Sequence, residues 1–266
     1  MSFKIKRVFA VVMRHFLTVI KPFKLISQLY WVGLDIVIFG FMSKSTSSVI
    51  GAGNQVAFIC LFTNLSLWYI VPRAAIGMAL TLYEDLIDSS FVGLMATPLT
   101  LLELVIAQIT IALFCSTINF AMGFICMLLL FGFNVFSIGI VLIPTIISLI
   151  ISSWIIGIYL VSFSMFFGKK SSSSLYTLPW ALIPFCGVFY SVTVLPQVCQ
   201  TIAHYIPMYH VFDGLTQFIK NGTSINSAIL KSMELNVFYF FVAIAVLTFV
   251  FKARKKTGLT RLEVEG

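Results

Sequence analysis

The residues able to do chemistry are few and scattered. Nine acids, three histidines and five cysteines stand in a chain of 266 residues that is 60% hydrophobic. Cys60, Cys115, Cys126, Cys186 and Cys199 form no CxxC pair and have no histidine at metal-ligand spacing, so they read as small apolar core residues. His204 and His210 share one stretch with Asp213, which is too little for a catalytic pair, and they read as loop packing. Tyr205, Tyr209 and Phe212 beside them read as an interfacial aromatic belt. The one Gly-Lys dipeptide, Gly168-Lys169, fails the phosphate-binding pattern GxxxxGK[ST] twice. Phe163 stands where the first glycine belongs and Lys170 where Ser or Thr belongs. Asn221-Gly222-Thr223 matches a glycosylation acceptor only formally.

The acids are more informative. Glu84, Asp85 and Asp88 fall within five residues, with Tyr83, Leu86, Ile87, Phe91 and Leu94 at helical spacing on the other face. This predicts an amphipathic helix over Tyr83–Ala96 that Thr97-Pro98 ends. Two readings stand: a docking helix that presents charge to a soluble partner, or an interfacial helix with a solvated acidic face. Asp35 is the one acid near the middle of an apolar run. Burying it costs a few kcal/mol, so it should face a bundle interior and have a partner. Tyr, Ser, Asn64 or a second subunit are the candidates. Glu103 is expected solvated at a span end.

These residues need a membrane fold to position them. Charged residues are only 10% of the chain and the mean hydropathy is +1.06, which excludes disorder and a soluble enzyme of ordinary composition. Residues 45–72, 104–168, 171–212 and 235–251 carry no charge. A helical span needs about 20 residues. The expected fold is an all-α polytopic membrane protein with six transmembrane helices, at Leu25–Met42, Val49–Val71, Leu104–Leu130, Phe136–Phe167, Leu175–Val192 and Asn236–Phe251. Gly132 and Asn134 supply the turn inside the longest run.

Six spans put 14 of the 17 Lys and Arg residues on the side of both termini, Arg73 and Lys169-Lys170 among them; only Lys44, Lys220 and Lys231 lie opposite. The positive-inside rule makes the first side cytoplasmic. The net charge of +8 is therefore an orientation signal that favours anionic lipids, not nucleic acid. Phe3–Ile20, apolar with Lys4, Lys6, Arg7 and Arg14, is expected to be an interfacial helix. Val8–Met13 is too short for the apolar region of a cleavable signal peptide. The stretch 193–231, apolar but broken at Pro196 and Pro207, is expected to form short re-entrant helices on the external side, before a cytoplasmic tail at 252–266.

This order of elements resembles the permease subunit of ABC-2 type exporters, over nearly the whole chain. Three places carry the likeness: YWVGLDIVIFGF at 30–41, LMATPLTLLE at 94–103, and PFCGVFYSVTVLPQVCQTIAHYIPMYHVF at 184–212. The family typically reads FYP…LP…A…P…HVFEG in the last; here Ser191 stands where Pro is common and Asp213 where Glu is common. The resemblance implies a bacterial plasma-membrane protein with both termini cytoplasmic, two permease copies and a separate ABC ATPase that holds the ATP and Mg. This chain holds no cofactor, no metal and no catalytic residue of its own. Tyr83, Glu84, Asp85, Asp88 and Phe91 would couple to the ATPase. Tyr30, Trp31, Asp35, Tyr190, Pro196, His204, Pro207, His210 and Asp213 would line the translocation path or gate, with Asp35 at the cargo path or dimer interface.

The implied function is ATP-driven export of a hydrophobic or amphipathic, drug-like or lipid-like cargo. Export of a polysaccharide or lipid-linked glycan by the same family is the alternative. An ATP-independent secondary transporter would normally show internal repeats or intramembrane coupling charges. A lipid-handling membrane enzyme or a non-transporting assembly subunit are the other classes.

Overall fold

The computed structural model describes residues 5–19, 21, 26, 30–42, 55–87 and 100–257. Their regular elements are helices, with no strand among the described residues. In chain order they form α1 (Ile5–Val19), α2 (Tyr30–Met42), α3 (Gln55–Trp68), α4 (Ile70–Ile87), α5 (Leu101–Phe131) and α6 (Leu142–Phe167). The short α7 (Ser172–Ala181), α8 (Ile183–Cys186), α9 (Gln197–His204) and α10 (Pro207–Asn221) precede the long α11 (Asn226–Thr257). Four stretches are long and apolar enough to cross a membrane: Val56–Asp85, Leu102–Phe131, Leu142–Phe167 and Asn226–Arg254. They mark the chain as a membrane protein.

Val56–Asp85 joins α3 and α4 and differs from the expected span, which ended at Val71. Pro72 has no N–H to give to the Trp68 carbonyl and its ring crowds that oxygen. The ladder therefore breaks at Tyr69 and restarts, with Pro72 in the first turn of α4, where a missing N–H costs little. Beyond Arg73 nothing stops the helix, because AAIGMALTLYEDLI is apolar and helix-forming. Tyr83, Glu84 and Asp85 consequently end a span-length helix instead of opening a separate one. The remainder of the expected 83–96 helix, with Asp88 and Phe91, lies outside the described residues.

α5 begins on a capping box. The Thr100 hydroxyl accepts from the Glu103 N–H at 3.3 Å, and the Glu103 carboxylate accepts from the Thr100 N–H at 2.7 Å. It ends at Gly132, whose φ of 64° is left-handed and whose N–H bonds the Leu128 carbonyl, at the expected turn. Residues 135–138 make a 3-10 turn, so α6 starts at Leu142, later than Phe136. The expected fifth span at 175–192 is broken instead: it pauses at Leu182, between Pro179 and Pro184, and ends at Cys186. The last helix starts ten residues before the expected Asn236 and carries Lys231 and Glu234 with it.

The α3–α4 helix is central: 83% of its apolar window is buried, against 28% for α5 and 22% for α11. Leu129 of α5 and Phe241 and Phe249 of α11 point outward, as lipid-facing side chains do. α4 packs on α5, α6 and α7, α6 on α11, and α10 on both α11 and α3, while α1 lies across α5. Ala74, Ala75, Gly77 and Ala79 let the neighbours of α4 come close, which matters where lipid removes the hydrophobic drive for association. Hydrogen bonds supply the rest. Between α6 and α11 the Ser148 and Ser232 hydroxyls meet at 2.8 Å, and Ser152 donates to Asn236 at 2.9 Å, all buried. Thr81 of α4 bonds Gln108 of α5.

A close backbone approach joins α10 to α11. A Cβ on Gly214 would stand 2.4 Å from the Ala228 Cβ, an atom fixed to its own backbone. Gly214→Ala should therefore push the two helices apart and cost about 1–3 kcal/mol, read as a lowered unfolding temperature of the detergent-purified chain. An unchanged temperature would contradict this packing.

Candidate functional site

α10 is built to stand beside α3. Ile206 is extended before Pro207, which opens the helix, and left-handed Gly222 closes it. One face, Met208, Val211, Phe212 and Leu215, is buried. The other carries Tyr209, Asp213, Thr216, Gln217 and Lys220 at helical spacing. α10 runs antiparallel to α3: the Trp68 and Phe212 rings lie 6.1 Å apart, and Asn64 Nδ2 donates to Thr216 Oγ1 at 3.0 Å. Between these helices and the irregular segment Gly187–Thr193 lies a cavity of about 490 Å³. Its walls include Asn64, Tyr190, Ser191, Tyr209, Asp213, Thr216, Gln217 and Lys220. Gln217 Nε2 donates to Asp213 at 2.7 Å. Asn64 is 2% exposed and its Oδ1 has no partner among the described residues.

Of the expected gate residues, Tyr190 and Asp213 meet in this cavity. Pro196 caps α9 and is exposed; Pro207 opens α10 and is buried. His204 and His210 pack on either side of the turn between the two helices. His210 Nε2 donates to the His204 carbonyl at 2.9 Å, and the Tyr209 ring stands edge-on to His204 at 5.0 Å. Tyr239 of α11 donates to the Tyr205 carbonyl at 3.0 Å and ties down the same turn. Burial pushes the His210 pKa below the ordinary value, and Lys231 and His204 add to this; the hydrogen bond to the His204 carbonyl and the charge of Asp213 oppose it. Burial and the nearby Asp213 push the Tyr209 phenol up.

The other expected path residues stand elsewhere. Tyr30 and Trp31 form an exposed edge-to-face pair, 5.8 Å apart, at the start of α2. Asp35 lies beside Tyr69, at the break between α3 and α4, with Arg73 one turn further on. A tyrosine partner was among the candidates. Arg73 was not, because its charge was read as the start of a loop. It lies twelve residues inside the Asp85 end, about 18 Å along the helix. Its Nε is buried without a partner among the described residues.

The acidic end of α4 corrects two further expectations. Asp85 is 5% exposed and faces inward: Arg14 Nη2 lies 2.6 Å from one carboxylate oxygen and His15 Nε2 3.1 Å from the other. Glu103 is fully buried in its capping box, with Arg7 at 3.9 Å, and is not solvated. Tyr83 is buried and Glu84 half-buried. The basic faces of α1 and the acids of α4 and α5 thus meet each other. Among the described residues no three His, Cys, Asp or Glu side chains converge as a metal site. The residues that sequence reasoning missed are Thr216, Gln217, Lys220, Tyr69, Arg73 and His15. No family model matches the chain, and no curated protein does.

Two outcomes follow from these contacts. Asp85→Asn should cost about 1–3 kcal/mol, because it weakens the charge-assisted hydrogen bonds that the buried carboxylate takes from the exposed Arg14 and the buried His15. Trypsin cleavage at Arg14 should then rise; equal cleavage in both proteins would refute the docking of α1. His210 binds its proton more weakly folded than unfolded, so the unfolded chain takes up more protons as pH falls past about 6.5. Stability should be fully present above that pH and decline below it, and His210→Gln should flatten the decline in a thermal-shift series.

Proposed function

We propose that this chain is the permease subunit of an ATP-driven exporter of the ABC-2 type in the bacterial plasma membrane. Its six spans are α2, α3–α4, α5, α6, α7–α8 and α11, and both termini are cytoplasmic. It works as a pair of permeases with an ATPase pair, and its cargo is hydrophobic or amphipathic. One observation carries the reading: the chain breaks after α8, folds back as α9 and α10, and lays α10 against α3 around a polar cavity at the end opposite α1. Irregular backbone at membrane depth is tolerated where it lines such a cavity.

Nucleotide-driven closure of the ATPases would press on the segment that follows Asp85. α4 is stiff and buried, and it meets α3 at the Tyr69 break. A tilt of α4 would swing α3 and open the wall held by Asn64 and Thr216. α1, seated on Asp85, would move with α4. The second reading is an ATP-independent carrier, and the Asp35–Arg73 neighbourhood inside the bilayer favours it.

Affinity purification of the intact chain should bring down a protein with Walker motifs, and the pair reconstituted in liposomes should move an amphipathic dye only with ATP. Glu84→Lys with Asp88→Lys should lower that association at least about fivefold, as expected when docked charges are reversed. Asp85 is kept, since it holds α1. Transport by the chain alone along an ion gradient would replace the exporter reading by the carrier.

A further inference from the structure

The cavity beside α10 has an order of charges that specifies a ligand. Its inner part offers acceptors. Asp213 receives one hydrogen bond, from Gln217, through one of its two oxygens. Asn64 Oδ1 is buried and unpartnered among the described residues, because the amide nitrogen is spent on Thr216, one turn from Asp213. A buried acceptor left without a donor costs about 1–3 kcal/mol, so a group with N–H bonds belongs there. Asn64 lies about 12 Å along the helix from Val56, well inside the bundle.

Towards the free end of α10 the sign reverses. Lys220 lines the same cavity seven residues after Asp213, about 10 Å along the axis. It forms no ion pair with the described residues. A simple cation would meet Lys220 and a simple anion would meet Asp213. A ligand carrying both charges in the opposite order satisfies both walls. Helix-end electrostatics account for Lys220, in the last turn of α10, and an i,i+4 contact accounts for Gln217. Neither accounts for the open oxygen of Asn64.

We infer that this cavity binds a zwitterionic group, with a primary ammonium between Asp213 and Asn64 and a carboxylate or phosphate at Lys220. Tyr190 and Tyr209 also line the cavity, and aromatic rings attract an ammonium. That this group belongs to the cargo rests on the exporter reading; binding by the isolated chain does not. Two sources share the chemistry: the ethanolamine-phosphate head of a lipid and a free amino-acid-like zwitterion.

The test is titration calorimetry on the detergent-purified full chain with phosphoethanolamine, glycylglycine, ethanolamine, inorganic phosphate and maltose. The lipid arm compares retention of phosphatidylethanolamine and phosphatidylglycerol by native mass spectrometry. A zwitterion should bind at least about tenfold more tightly than ethanolamine or phosphate, and Asp213→Asn and Lys220→Gln should each remove about that factor. Asn64→Leu should weaken ethanolamine-bearing probes and leave the Lys220 contribution in place. Retention of phosphatidylethanolamine without soluble binding assigns the lipid source, and binding of glycylglycine alone assigns the free one. Equal binding of ethanolamine and phosphoethanolamine, maltose binding that ignores both charge variants, or no binding in either arm overturns the inference. Should Asp213→Asn fail to fold, Lys220→Gln at the exposed rim decides. Loss of ATP-driven transport with intact zwitterion binding would sink the exporter reading alone.

Discussion

Inside a hydrocarbon layer a polar group has no water to turn to, so each must be met by protein or by whatever fills a cavity. The α3–α4 helix is organised by that constraint. Several of its polar side chains, spread along its length, each meet a different element. Asn64 holds α10 through Thr216, Thr81 holds α5 through Gln108, and Asp85 holds α1 through Arg14 and His15, while Tyr69 lies beside Asp35 of α2. The small residues between Arg73 and Leu80 leave the intervening surface for apolar contact with α5 and α6. The central helix is thus a spine whose attachments are polar because lipid gives apolar contacts little preference for protein over tails.

The cavity is a consequence of breaks elsewhere. Beyond α8, Pro196 and Pro207 each withhold an N–H, and the chain forms pieces too short to cross a bilayer. The pieces fold back on the bundle, and α10 turns one apolar face to the core around Trp68 and Phe212. Its opposite face is then forced to line space shared with the irregular stretch after Gly187. Ser191 uses its hydroxyl to accept from the Thr193 N–H and so closes the turn that follows.

Local signals were legible in the sequence and long-range ones were not. The turn at Gly132 and the breaks at Pro196 and Pro207 depend on neighbours within a few residues. Reading charges as punctuation placed α5 and α6 to within a few residues. It failed at Arg73, because it assumes that a charge lies outside the membrane unless a partner is known, and Asp35 is 38 positions away. It failed at Asp85 and Glu103 for the same reason, since the cations that cover them come from α1. The cavity was half legible: Tyr190 and Asp213 lie in broken segments that attract notice, whereas Asn64 and Thr216 are 152 positions apart and look like ordinary span residues.

The spine also explains how two distant ends could act as one. Tyr69 divides Val56–Asp85 into arms of 13 and 16 residues, about 20 and 24 Å long. One arm ends in the α1 clamp and the other carries Asn64 at the cavity wall. A helix break lets the two arms change angle without stretching either, because the interrupted hydrogen bond is already absent. Asp35 and Arg73 sit beside that break, so their charge interaction is the one most altered by a change of angle. Charged groups at that depth cost energy to keep in lipid and usually mark function. In the exporter reading proposed above, force entering at Asp85 would reach Asn64 as a rotation about Tyr69.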